Sequence, residues 1–163
     1  PLKQIKVEQL EGYRPPIPDW NYFFWLGCSD EEYENFRKQK KPKTVMYEAF
    51  GEKFPIQLKV DKYSMTGNLA IEMVNWKHRY PSSWAALTVD LNEVCEKDCS
   101  YVDTNHHGRK ILSWIIENGL GELTGQRNRS GYCTYEKIRF YPEKLKDCDP
   151  EGYQRYKIKF EET

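Results

Sequence analysis

The sequence lacks a net charge. Its 25 basic and 25 acidic side chains cancel over 163 residues. A protein that binds nucleic acid by electrostatic attraction alone normally carries a clear basic excess, and an acidic mimic of DNA carries the opposite one. The composition therefore argues against both classes, although a basic patch could still form locally in the folded chain.

Long apolar runs are also missing. No stretch reaches the roughly 18 apolar residues that a membrane-spanning helix needs. The charged residues 1–10 contain no hydrophobic region of the signal-peptide kind. The chain also has five cysteines at irregular spacing, and this odd number fits reduced thiols better than a disulfide framework. We therefore expect a cytoplasmic protein that makes no contact with a membrane.

A metal-binding pattern of cysteine and histidine is absent as well. Cys95 and Cys99 form one loosely spaced pair, with His106 and His107 close behind. Structural zinc sites usually show two tight pairs, and here Cys133 would have to complete the set from far away. We predict no metal site and no cofactor.

The sequence contains no recognisable catalytic motif. One alternative combines Cys133 as nucleophile with His106 or His107 as base and Asp103 as the orienting group. The pattern supports it weakly, because Cys133 falls in a predicted strand, where small buried cysteines are common, and both histidines are expected to be exposed. We predict no catalytic residues and keep a Cys-His hydrolase as the least favoured alternative.

Aromatic residues, by contrast, are abundant, at 15% of the chain with 12 Tyr and 5 Trp. These rings either fill a core that is poor in Leu and Val or form an interface, where Tyr and Trp are enriched. The aromatic run at residues 20–25 must be buried or be a contact surface. Its candidate contacts are Trp20, Phe23, Phe24 and Trp25.

The hydrophobic pattern predicts a single α+β domain over residues 1–163, mainly antiparallel sheet with two or three helices packed on one face. Residues 1–28 are expected to form a Pro- and aromatic-rich extension on or beside a core at about residues 43–146. Period-two alternation predicts three strands with buried positions at Ile56, Leu58 and Val60, at Leu69, Ile71 and Met73, and at Leu87, Val89 and Leu91.

The second half of the chain alternates between helix and strand signals. A helix is predicted over residues 104–118, capped by Asp103 or Thr104 and ended by Gly119. A long polar loop follows at residues 121–131, then a strand at residues 132–141 and a final strand at residues 150–163. The buried positions predicted for these elements are Ile111, Leu112, Ile115 and Ile116, then Tyr135, Ile138 and Phe140, and finally Tyr156, Ile158 and Phe160.

Basic residues provide further candidate contacts. A helix is predicted from the cap at Ser29 to about Lys41, and Lys38, Lys40 and Lys41 lie at its end. They either contact phosphate or form a solvated helix end that complements the helix dipole.

The predicted loop at residues 121–131 is the second basic candidate. Arg127 and Arg129 lie in it between glycines, and together they could clamp a phosphate or a carboxylate. It lacks the ending of a phosphate-binding P-loop and opens no helix. A recognition loop and a mobile hairpin connection both remain open.

Five segments in a fixed order resemble a family. They are NLAI (68–71), ALTVDL (86–91), VDTN (102–105), ENGLG (117–121) and SGYCTY (130–135). Over about residues 54–145 the chain resembles a bacterial family of unknown function found on plasmids, conjugative elements and prophages. The resemblance implies an accessory role in the bacterial cytoplasm, such as blocking a host defence system by binding one of its components, and assigns no catalytic residue.

Taken together, these patterns favour a non-enzymatic protein that binds a partner protein in the bacterial host, with the aromatic run and the two arginines as candidate contacts. The alternative is a nucleic-acid-binding protein that uses the basic candidates, whose affinity would fall steeply with salt.

Overall fold

Two antiparallel sheets and four helices make up the part of the chain that the computed structural model describes, residues 42–78 and 81–161. The predicted α+β class is confirmed. The antiparallel strands form two separate sheets of four strands each. The N-terminal extension predicted at residues 1–28 and the helix predicted up to Lys41 lie outside the described residues.

The first sheet is a meander with strand order β1-β2-β3-β4. Its strands are β1 (Val45–Ala49), β2 (Glu52–Lys62), β3 (Leu69–Asn75) and β4 (Ser82–Ala86). The register places Leu58 opposite Met73 and Val60 opposite Ile71, so these side chains share one face. All six positions predicted to be buried in β2 and β3 are buried.

The second sheet has the order β5-β6-β8-β7. Its strands are β5 (Thr88–Val89), β6 (Cys99–Val102), β7 (Gly121–Ser130) and β8 (Cys133–Phe140). The polar loop predicted at residues 121–131 is wrong, because β7 pairs with β8 along its length, from Gly121 opposite Phe140 to Ser130 opposite Cys133. The burial predicted for Tyr135, Ile138 and Phe140 is confirmed.

The single strand predicted around Leu87 is also wrong. The chain leaves the first sheet after Ala86 and enters the second at Thr88, with Leu87 buried at the bend between them. The Leu87 amide donates to the carbonyl of Ile71 at 2.9 Å, and its own carbonyl accepts from the Asp103 amide at 2.9 Å. The backbone of one residue therefore joins the two sheets.

The helices are α1 (Thr104–His107), α2 (Lys110–Glu117), α3 (Pro142–Cys148) and α4 (Pro150–Glu161). The helix predicted over residues 104–118 is two helices, interrupted at Gly108, whose φ of 79° breaks the helical path. The cap at Asp103 and the left-handed end at Gly119 are confirmed. Ile116 was predicted to be buried and is exposed.

The final strand predicted at residues 150–163 is wrong, because this segment forms helix α4 up to Glu161. Tyr153, Tyr156 and Phe160 recur at spacings of three and four and therefore share one helix face, which packs on the core. Ile158, predicted to be buried, falls off this face and is exposed.

The core has a main part and a smaller satellite. The main part lies between one face of each sheet and α2, α3 and α4. On the opposite face of the second sheet, Cys95, Cys99, Tyr101 and Tyr135 form a smaller cluster under residues 90–98. The second sheet is therefore covered on both faces over part of its area. Within residues 42–78 and 81–161, no helix combines the length and apolar character needed to cross a membrane.

Candidate functional site

Most aromatic rings of the described chain belong to the core. Tyr47, Tyr101, Tyr135, Tyr153, Tyr156 and Trp114 are all buried. Two rings are the exceptions, Tyr132 with 99% and Phe50 with 91% of its surface exposed, and no other Phe, Tyr or Trp in residues 42–78 and 81–161 is exposed. Of the two, Tyr132 also carries a hydroxyl group, and tyrosine is enriched among the residues that dominate interfaces, so Tyr132 is the stronger candidate contact.

The turn between β7 and β8 accounts for this exposure. Ser130 pairs with Cys133, so that Gly131 and Tyr132 form a two-residue hairpin loop. Gly131 takes a φ of 60°, as the first position of a type II′ turn requires, and glycine adopts this conformation without strain. The turn therefore displays Tyr132 at the tip of a hairpin whose strands have ten and eight residues.

A bulge in β7 sets the direction of the outer half of this hairpin. Leu123 pairs with Ile138 and Arg127 with Glu136, so residues 124–126 of β7 lie opposite the single residue Lys137. The Thr124 hydroxyl donates to the Lys137 carbonyl at 2.9 Å and accepts from the Gln126 amide at 3.1 Å, which fixes the bulge. Without the extra residues, Arg127 would not face Glu136.

Glu136 is a buried carboxylate held by two arginines. Its Oε2 lies 2.8 Å from Nε of Arg127 and 3.4 Å from Nη2 of Arg109, which is in the link between α1 and α2. The Glu136 side chain is 6% exposed, whereas those of Arg109 and Arg127 are 68% and 65% exposed. A buried carboxylate thus anchors two cations that remain accessible to a ligand.

The neighbouring residue, Lys137, points to the opposite face of the sheet. Its side chain is buried, and Nζ donates to Oε1 of Gln126 at 2.8 Å and to Oε1 of Glu96 at 3.3 Å. Nζ also lies 5.4 Å from the ring centroid of Tyr101. Because each donor contact is internal, Lys137 stabilises the hairpin base and is not available to a ligand.

The residues of the hydrolase alternative are not assembled. Cys133 begins β8 and packs against the satellite cluster, and within the described part of the chain no hydrogen bond joins it to His106 or His107. His107 was expected to be exposed but is buried, with Nε2 2.7 Å from the carbonyl of Ala86. The expectation that His106 is exposed is confirmed.

The three cysteines of this region do not form a metal site with their neighbours. Across residues 42–78 and 81–161, no three His, Cys, Asp or Glu side chains come together as ligands would. Burial raises the pKa of the Cys95 thiol to about 11, although nearby Lys137 lowers it, and burial also raises the pKa of Cys99. Thiols with such raised pKa values are weak nucleophiles at neutral pH.

The raised pKa of Cys95 predicts a stability loss at alkaline pH. Below about pH 8.5 the thiol is protonated in both states, so its contribution to stability is complete. Above that pH the unfolded chain releases the proton while the native chain retains it up to about pH 11, so stability falls with pH. Urea unfolding at pH 8 and pH 10 should show a larger loss for the wild type than for Cys95→Ala. Equal losses of stability in the wild type and in Cys95→Ala would contradict the raised pKa of Cys95 as the cause.

Of the candidate contacts predicted from the sequence, the structure describes only the two arginines. Arg127 and Arg129 lie in β7 and not in a loop, and both are exposed. The other seven candidates lie outside the described residues; they are Trp20, Phe23, Phe24, Trp25, Lys38, Lys40 and Lys41.

The sequence analysis missed Tyr132, Glu136 and Arg109. The signal for Tyr132 was present, because Gly131-Tyr132 between two alternating segments is the Gly-X pattern of a tight hairpin. No local signal marks Glu136 or Arg109, whose contact joins positions that are 27 residues apart.

Comparison with known families gives one match. A family model described as a domain of unknown function (DUF4313) matches residues 57–160, which is more than half of the chain. The chain belongs to the DUF4313 family. The match covers most of the described fold, from β2 to α4, and includes the whole β7–β8 hairpin. No curated protein and no solved structure matches this DUF4313 chain significantly.

Proposed function

We propose that this protein has no catalytic activity of its own and that the tip of its β7–β8 hairpin binds a partner protein. The observation that carries the proposal is Tyr132, a fully displayed ring on a two-residue turn. A tyrosine can bury about 150–250 Å² and brings a hydroxyl that can hydrogen bond. Tyrosine and arginine dominate the energetics of many protein interfaces.

The hairpin below Tyr132 supports this use because internal contacts hold its strands in place. The bulge at residues 124–126 is fixed by Thr124, and both faces of β8 are anchored, by Glu136 on one side and Lys137 on the other. A contact residue on such a frame loses little backbone conformational entropy when it binds, which favours affinity.

The wider role that we propose is that of an accessory protein of a bacterial mobile element or phage. It acts in the cytoplasm and inhibits a component of a host defence system by binding it. The NLAI, ALTVDL, VDTN, ENGLG and SGYCTY segments support this role because they resemble the bacterial family found on plasmids, conjugative elements and prophages. The balanced numbers of acidic and basic residues support binding to a protein. The aromatic run at residues 20–25 is proposed as a second contact.

Photo-crosslinking tests the role of the hairpin tip. Benzoylphenylalanine in place of Tyr132 should yield a discrete crosslinked partner in a host lysate. The matched control is the same substitution at Phe50, which is 91% exposed at the turn between β1 and β2. The proposal is wrong if position 132 gives no product, or if both positions give the same products.

A further inference from the structure

Arg109 and Arg127 converge on one oxygen of Glu136 and leave most of their donors unused. A guanidinium carries five N–H groups. Arg127 contacts Glu136 through Nε and Arg109 through Nη2, and within the described chain no other side-chain partner is found for either. The two Nη groups of Arg127 form a fork that matches the two oxygens of a carboxylate.

Arg129 adds a third cation to the same surface. It lies two residues beyond Arg127 in β7, so its side chain projects from the same face about 7 Å away. It is exposed, and no side chain within residues 42–78 and 81–161 pairs with it. Two arginines thus contact the carboxylate of Glu136 and the third lies further along the same strand, so this surface has more cations than anions although the chain as a whole is neutral.

We propose that this arginine cluster (Arg109, Arg127 and Arg129) binds carboxylate side chains of an acidic segment on the partner protein. The proposal rests on the function proposed above and identifies the chemistry of the partner. Tyr132 follows Arg129 by three residues on the same hairpin, so one partner surface could meet both the ring and the cluster. Forked hydrogen bonds to carboxylates then fix the register of the partner.

An acidic protein segment fits this surface better than a nucleic-acid backbone. Binding a phosphate backbone draws on many cations in series. Here Glu136 already neutralises part of the cluster, and the remaining cations form a compact group and not a stripe. A small group of arginines with fixed geometry favours a few carboxylates over a long run of phosphates.

A labelled peptide of six glutamates is the probe, titrated into the full chain at low salt with fluorescence anisotropy as the readout. We expect the wild type to bind it, and Arg109→Gln or Arg127→Gln to weaken binding at least tenfold. Arg127→Lys should restore only part of the loss, because lysine lacks the fork. The matched control is Arg155→Gln, an exposed arginine on α4, which should change the affinity less than twofold.

Three results would overturn the proposal. The first is no binding of the glutamate peptide by the wild type, and the second is an equal loss of affinity in Arg155→Gln. The third is tighter binding of a labelled single-stranded oligothymidine through the same arginines, which would identify a nucleic-acid site. Tyr132→Ala should bind the peptide as tightly as the wild type does. The peptide assay therefore tests the arginine cluster alone, and the crosslinking experiment tests the hairpin tip.

Discussion

Alanine in place of Gly152 is expected to lower the free energy of unfolding by about 3 kcal/mol or more. A Cβ atom at this position would lie 2.2 Å from the Val60 carbonyl oxygen and 2.2 Å from Oδ2 of Asp149. Neither neighbour can withdraw easily. Val60 belongs to β2, and the Asp149 carboxylate accepts from the amides of Val60 and Gly152 at 3.0 Å each.

This crowding has a structural cause. Strand β1 pairs with β2 only as far as Ile56, so the edge of β2 beyond that residue is uncovered by β1. Asp149 and the first turn of α4 cover the edge instead, which brings the helix backbone against the strand. Only a residue without a side chain allows so close an approach.

Urea unfolding followed by circular dichroism measures the effect. Gly51→Ala is the control, because its Cβ would meet nothing within 4 Å and only its φ of 75° is unfavourable. We expect a loss of about 1–2 kcal/mol there. A Gly152→Ala protein as stable as Gly51→Ala would show that α4 does not pack on β2 in this way.

Alanine in place of Tyr156 should also cost about 3–5 kcal/mol, because it empties a large, fully buried site. The ring lies 5.8 Å from the ring of Tyr153 and 5.5 Å from that of Phe160. Its hydroxyl oxygen accepts from the amide of Asp98 at 2.8 Å. Helix α4 is therefore tied to the loop that precedes β6.

Tyr156→Phe separates the contribution of the buried ring from that of the hydroxyl hydrogen bond. It keeps the ring and leaves the Asp98 amide without its acceptor, which should cost about 1–3 kcal/mol. Thermal and urea unfolding of both variants give the comparison. If Tyr156→Ala cost no more than Tyr156→Phe, the buried ring would not be what holds α4 in place.

The strands β2 and β3 could be predicted because period-two alternation and one buried face are local properties of the sequence. The break at Leu87 could not, since its alternation with Val89 continues across the point where the chain changes sheets. What decides the break is a pair of backbone hydrogen bonds between residues distant in sequence: the Leu87 amide donates to the Ile71 carbonyl, and the Asp103 amide donates to the Leu87 carbonyl.

Helix α4 was missed although its start has a local signal. Asp149 accepts from the amide of Gly152, three residues on, and Pro150 occupies the first helical position. The alternation of Tyr156, Ile158 and Phe160 suggested a strand, but Tyr156 and Phe160 also share one helix face with Tyr153, from which Ile158 is excluded. The cap signal distinguishes the two.

Strand β7 was read as a loop because its sequence is rich in Gly, Asn, Ser and Thr, which are typical of turns. Pairing with β8 overrides this composition, and the bulge at residues 124–126 accommodates Thr124 and Gly125. Arg127 and Arg129 were recognised from the sequence, but the contact of Arg127 with Glu136 depends on the register between β7 and β8, which the composition does not encode.

The affinity of the crosslinked partner for Tyr132→Ala, compared with Phe50→Ala, tests the hairpin-tip claim most directly. Both changes remove one fully displayed ring from a hairpin turn. If the β7–β8 tip is the contact, Tyr132→Ala should weaken binding at least thirtyfold, corresponding to a hot spot of about 2 kcal/mol. Phe50→Ala should leave the dissociation constant within about twofold of the wild type, since no contact is assigned to it. Unchanged affinity in a folded Tyr132→Ala protein would contradict the assignment of this surface.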